Sequence, residues 1–159
     1  MSEAVRCEEE RALGLVRAEV ERELAERFAP DWHLGELVAL HERLKLLLMA
    51  HAPGTASALG RLVAAAASLP RAAVATQYRD GVRAALATLP SRGRHVNALE
   101  HAAGYFRGRA ADEERRQLRT AIDDYGQGRV TLAVPLTQLR QGAIRHRIIW
   151  LQEQIYLYA

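Results

Sequence analysis

Apolar residues recur at intervals of three and four along nearly the whole chain, the spacing of one face of an α-helix. Between Glu3 and Phe28 the rhythm is set by Leu13, Val16, Val20 and Leu24, with Glu and Arg filling the positions around them. That stretch predicts an amphipathic helix laced with salt bridges. Ala29-Pro30-Asp31 breaks it, and Asp31 is the expected cap of a second helix from Trp32 to His51. The second half of this helix is apolar nearly all round, through Leu46-Leu47-Leu48-Met49, so it is expected to be the buried spine. Its main stripe is Leu34, Leu37, Val38, Leu44 and Leu48, with His41 at the middle and Lys45 beside it.

Ala52-Pro53-Gly54-Thr55 reads as a turn, followed by a short Ala-rich helix from Ala58 to Ala67. Pro70 is placed as the first residue of a fourth helix reaching Thr88, with Val74, Tyr78, Val82 and Leu86 in register. The fifth, from Ser91 to Arg107, has Ser91 as N-cap and Gly108 at its stop. It has two chemically different faces: Arg94, Asn97, His101 and Tyr105 on one stripe, Val96, Leu99, Ala103 and Phe106 on the other. A sixth helix spans Asp112 to Tyr125, with acids in its first turn as the helix dipole favours. Gly126-Gln127-Gly128 is a flexible break, and Val130 to Val134 is expected as an extended connector into Pro135. Leu136 to Tyr158 forms one or two final helices bearing Trp150, Tyr156 and Tyr158. The expected fold is all-α, one helical bundle of about seven or eight helices. Residues 1–30 form an acidic amphipathic N-terminal helix, either packed or a connector, and residues 31–159 form the helical domain.

Charge adds an asymmetry that the periodicity does not show. Up to Asp31 nine acidic and five basic residues leave the segment at −4, while the remainder carries +7, giving +3 over the 159 residues. A basic body fits a polyanionic partner such as nucleic acid, and equally a solvated arginine-rich face. Of the 22 basic residues only Lys45 is a lysine. Cys7 is the single cysteine, so the chain forms no internal disulfide and builds no thiolate metal site or iron–sulfur cluster by itself. No apolar run approaches the length of a membrane span, and Met1 to Glu10 is acidic where a signal peptide is basic and then apolar. The expectation is a cytoplasmic protein with no membrane partner and no cofactor.

Candidate chemistry gathers on two helices. An ammonium on a core-facing stripe needs an acidic partner, a route to solvent or a ligand cleft; for Lys45 the cleft is the expectation taken forward. His41 is either a hydrogen-bonded core histidine or, with His51, part of that cleft. A metal site is not expected, because no helix carries ligands paired at three or four, and His95 lies about 120° around its helix from His101. His95 falls among Leu99, Ala102 and Phe106 and is read as packing. No nucleophile sits beside a histidine in a recognisable elbow, so catalytic residues are unknown and an enzyme is not the favoured reading. Two other functions fit the same residues: a protein-interaction module using the acidic arm or Trp150, Ile155, Tyr156 and Tyr158, and a nucleotide pocket around His41 and Lys45.

Five segments in fixed order carry a resemblance. They are His41-x-x-x-Lys45-Leu46-Leu47-Leu48-Met49-Ala50-His51, Leu59-Gly60-Arg61-Leu62-Val63-Ala64, Arg94-His95-Val96-Asn97-x-Leu99-x-His101-x-x-Gly104-Tyr105-Phe106, Val134-Pro135-Leu136-Thr137 and Gln154-x-Tyr156-Leu157. From about Leu34 to the end the chain resembles the YbgA-like domain family, a family of unknown function numbered 1722. It departs from the pattern at Tyr125-Gly126-Gln127-Gly128, where relatives carry Tyr-Arg-Gln-Gly, and at Leu139 to Ile144, normally richer in Lys, His and Tyr. Members occur alone or behind a cysteine-bearing thiouracil or thiouridine desulfidase domain. The resemblance therefore implies a module that holds structured RNA, transfer RNA above all, for a desulfidase or other RNA-modifying enzyme on a separate chain. The expected contact set is Lys45, Arg92 and Arg94 to phosphates, Asn97 and His101 to phosphate, ribose or base edges, and Tyr105 as a stacking face.

Overall fold

Eight α-helices form in the computed structural model, which describes residues 3–158 and the side chains of residues 11–158. They are α1 (Glu3–Arg27), α2 (Leu34–His51), α3 (Pro53–Ala65), α4 (Arg71–Ala87), α5 (Arg92–Gly104), α6 (Asp112–Gly126), α7 (Ala133–Arg145) and α8 (Ile149–Gln152). Short 3-10 turns occupy Ala66–Ser68 and Ile155–Tyr158, and no strand occurs among the described residues. The chain is an all-α domain, as the periodicity predicts.

The spine is α2, in contact with α1, α3, α4, α5 and the C-terminal 3-10 turn. Leu37, Leu40, Leu44, Leu46, Leu47 and Leu48 are all buried, each removing apolar surface worth roughly 1.5–3 kcal/mol. Val38, expected in the stripe, is 48% exposed because the buried arc is centred on Leu37, Leu40 and Leu44 instead. The expected cap is also displaced. A hydrogen bond from the Trp32 amide to the Ala29 carbonyl (3.0 Å) closes a turn that holds Asp31, so α2 starts two residues later. His33 becomes the N-cap, its amide donating to Glu36 Oε2 at 2.7 Å.

Two proline positions correct the sequence reading in the same way. Pro53 is not in a turn but in the first turn of α3, and Pro135 lies inside α7, which begins at Ala133 in place of the expected extended connector. A helix leaves its first amides without intrahelical partners, so a residue lacking an N–H costs nothing there. The connection from α2 to α3 thereby shrinks to Ala52, and Leu136, Leu139 and Ala143 are drawn into the core.

α1 is packed against the domain. Val16, Val20, Leu24 and Phe28 belong to the one buried cluster. Glu21 accepts two hydrogen bonds from Arg83 (2.8 and 2.9 Å), Glu23 one from Arg43 (2.8 Å), and Arg17 donates to the Leu86 carbonyl at 2.7 Å. The acidic helix thus meets arginines of the basic body on α2 and α4. Cys7 lies outside the described side chains.

At the other end of the chain, fully buried Gln154 donates from Nε2 to the Glu42 carbonyl (2.5 Å) and accepts from the Leu46 amide at Oε1 (3.2 Å). Those are the two groups that one helical turn ordinarily joins to each other, so a single amide side chain locks the C-terminus to the middle of α2.

Candidate functional site

α5 is where the candidate residues concentrate, and its beginning is consumed by structure. Ser91 caps the helix, accepting from the Arg94 amide at 3.3 Å. Arg94 Nη1 donates to the His51 carbonyl (2.9 Å) and Arg92 Nη1 to the Tyr125 carbonyl (2.7 Å). Both acceptors belong to helix C-terminal turns, of α2 and α6, where carbonyls lack intrahelical donors and a cation also meets the negative end of the helix dipole. The Arg92 guanidinium lies 5.2 Å from the centre of the Tyr125 ring as well. Neither arginine is free for phosphate in the way the sequence expects.

The three histidines nearest the core are likewise engaged. His95, on the packing side as expected, has Nδ1 2.8 Å from the Tyr156 hydroxyl and stacks on that ring at 23°. Burial pushes its pKa down to about 4, with His51 adding to the effect, so the ring is neutral at pH 7. His51 donates from Nδ1 to the Thr88 carbonyl (2.7 Å) and its pKa is lowered mainly by burial. His41 has Nδ1 3.0 Å from the Tyr78 hydroxyl, and burial lowers its pKa too. These contacts direct His41 toward α4 and His51 toward the end of α4. Neither imidazole bonds to Lys45 or to the rings described below, although His41 is close enough for the Lys45 charge to add to its lowered pKa.

Lys45 does meet the α5 stripe, through a residue not assigned to it from sequence. The Trp150 ring stacks on Tyr105, centroids 4.4 Å apart and planes within 12°. Trp150 Nε1 donates to Glu42 Oε2 at 2.6 Å, and the other oxygen of Glu42 lies 4.0 Å from Lys45 Nζ. Lys45 Nζ is 6.0 Å from the Trp150 ring centre, with the Lys45 side chain 41% exposed. His101 stands edge-on to Tyr105 at 6.0 Å, and both His101 and Asn97 are exposed. Burial raises the Tyr105 pKa, with Glu42 adding to it, so the phenol stays protonated at pH 7. The patch therefore has a two-ring aromatic stack, one ammonium, one imidazole and one oriented carboxylate, contributed by α2, α5 and α8. The Glu42 to Lys45 spacing was visible in sequence as an i,i+3 pair; the reach of Trp150 was not.

Among the described residues no group of three His, Cys, Asp or Glu side chains is placed to hold a metal ion. The exposed side chains of Arg61, Arg107, Arg109, Arg119 and Arg147 have no hydrogen-bond or ion-pair partner among the described residues. No helix of the described residues is long and apolar enough to cross a membrane.

The family described as "Protein of unknown function (DUF1722)" matches residues 45–159, which begin at Lys45 and include all of α3 to α8. The uncharacterized protein YbgA of Escherichia coli (strain K12) is 32% identical over 123 residues, covering 77% of this chain and 73% of that protein. No solved structure matches the chain.

Proposed function

Starting from the fact that this chain belongs to the DUF1722 family, we propose that it binds structured RNA, transfer RNA in particular, through the patch where α2, α5 and α8 meet. The observation that carries this reading is the convergence of Lys45, His101, Tyr105 and Trp150 from three helices onto one solvent-facing surface. Folded RNA is recognised by backbone contacts and by stacking of unpaired bases on aromatic side chains, and the patch offers a cation, an imidazole and an aromatic pair for those tasks. Glu42 fixes the tilt of the Trp150 indole and holds the Lys45 ammonium beside it. Unpaired arginines on α6 and the segment after α5 supply further positive charge for backbone phosphates. In this reading the domain positions RNA for modification chemistry carried on another chain, in the cytoplasm.

The test is transfer-RNA affinity, measured by fluorescence anisotropy at two salt concentrations for the wild type, Lys45→Met and His101→Ala. The expected result is saturable binding that weakens steeply with salt, loses about threefold to tenfold in each variant, and shows a salt slope lower by about 1 in Lys45→Met. Absence of binding, or salt-insensitive binding equal in all three proteins, overturns the proposal.

A further inference from the structure

A second charged feature lies on the neighbouring face of α5, away from Lys45 and Trp150. α5 and α6 run antiparallel. Arg92 at the start of α5 bonds the end of α6, and a Cβ added to Gly126 would lie 3.3 Å from Val96. Between them is a groove of about 280 Å³ that contains three arginines, Arg107, Arg115 and Arg119, and two carboxylates, Glu100 and Asp123. The antiparallel arrangement sorts these charges along the groove. Glu100 and Asp123 lie toward the end where Val96 meets Gly126, and Arg107 and Arg115 lie toward the opposite end, near the link from α5 to α6.

At that basic end the guanidinium groups are poorly compensated. Arg107 and Arg119 are exposed and have no hydrogen-bond or ion-pair partner among the described residues. Asp123 is four residues after Arg119 on the same helix, the weaker order for an i,i+4 ion pair, and the two do not pair. Arg115 is held by Asp112 through one terminal nitrogen, while its Nε is buried with no hydrogen-bond partner. A buried donor left unpaired is costly, and an anionic oxygen reaching it would satisfy it. Gly104 lines the same groove, and a Cβ placed on it would meet nothing within 4 Å, so the α5 side is open.

We infer that the basic end of the α5–α6 groove is a phosphate-binding site, with Arg107 and Arg119 as its unpaired cations and Arg115, anchored by Asp112, as its fixed one. Planar guanidinium groups bind oxyanions through paired hydrogen bonds, and three of them along one groove match the several oxygens of a phosphate better than the two of a carboxylate or a halide ion. Glu100 and Asp123 repel an anion from the other end and so confine it. The phosphate is either a backbone phosphodiester of RNA or part of a small phosphorylated ligand, and the inference goes beyond the RNA reading because it stands with either source.

The double variant Arg107→Gln/Arg119→Gln separates the possibilities, with Arg61→Gln on α3 as a control for loss of an unpaired charge elsewhere. Two probes are used at matched ionic strength: sodium pyrophosphate, followed by the rise in thermal midpoint, and transfer RNA, followed by anisotropy against salt. If the source is RNA, the double variant binds transfer RNA about tenfold more weakly and its salt slope falls by about 1 to 2, while Arg61→Gln is close to wild type. If the source is a small ligand, pyrophosphate stabilises the wild type, and at least fivefold more is needed in the double variant. In that case the inference holds even when transfer RNA does not bind and the RNA reading falls. Wild-type behaviour of the double variant toward both probes, an equal loss in Arg61→Gln, or no response of the wild type to either probe overturns the inference.

Discussion

At the start of α5, Arg92 and Arg94 reach the last turns of α6 and α2 and are held there; just beyond its end, the Arg107 side chain has no partner among the described residues, and His101 and Asn97 on its last turns stay exposed. The two ends carry the same residue types, so composition does not distinguish them. What differs is the presence of a helix C-terminus within reach. Orphan carbonyls at such ends attract cations both as hydrogen-bond donors and as countercharges to the dipole. The pattern recurs elsewhere: Arg17 donates to the Leu86 carbonyl, Arg79 to that of Phe28 and Arg140 to that of Leu157. Much of the arginine content that reads as a polyanion surface is therefore internal scaffolding. The cations available for a ligand are those that no main-chain carbonyl has claimed.

The largest effect is expected from Arg94→Ala. Removing the guanidinium leaves the His51 carbonyl without its donor, and stability should fall by about 2 kcal/mol in urea unfolding. A loss under about 0.5 kcal/mol would mean that water serves that carbonyl equally well and that the two ends of α5 do not differ in kind. The next effect is a pH dependence at His95. The unfolded ring takes up its proton near pH 6.5, the buried one only at about 4, so the unfolded state binds more protons between those values. Stability is therefore complete above about pH 6.5 and declines as pH falls toward 4, by about 2 kcal/mol between pH 7 and pH 5. His95→Gln should flatten the profile without abolishing it, because His41 and His51 are shifted in the same direction. Identical slopes for variant and wild type would remove His95 from the scaffold. The smallest effect is expected at the free end: Arg107→Gln/Arg119→Gln should leave the free energy of urea unfolding within about 0.5 kcal/mol of wild type. A larger drop would show these two to be structural as well.

The helical content was legible because each helix has to bury one face, and a 3.6-residue period writes that requirement into the sequence. Ser91 as a cap and His95 as a packing residue were legible for the same local reason. Pro53 and Pro135 misled, since a proline that breaks a helix and one that opens it look alike until the neighbouring chain is placed. The candidate site was legible only in part. Lys45, Asn97, His101 and Tyr105 lie on exposed or half-exposed surface, but the covering of Tyr105 depends on Trp150, and Trp150 is oriented by Glu42, 108 residues away in sequence. Periodicity carries no information about such a pair. His41 and Lys45 are one turn apart on α2 and take different partners, Tyr78 of α4 and Trp150 of α8.

The all-α class, the central position of α2, the two faces of α5, the acidic first helix and the family resemblance all follow from local spacing, charge and motif order. The tertiary structure decided which polar groups remain free. A guanidinium or imidazole has the same chemistry wherever it falls along a helix. Whether it meets a ligand depends on the carbonyls, carboxylates and rings that distant segments bring within hydrogen-bonding distance. For Arg92, Arg94, His41 and His51 those segments claim the side chain; for Lys45, His101, Arg107 and Arg119 they leave it facing solvent.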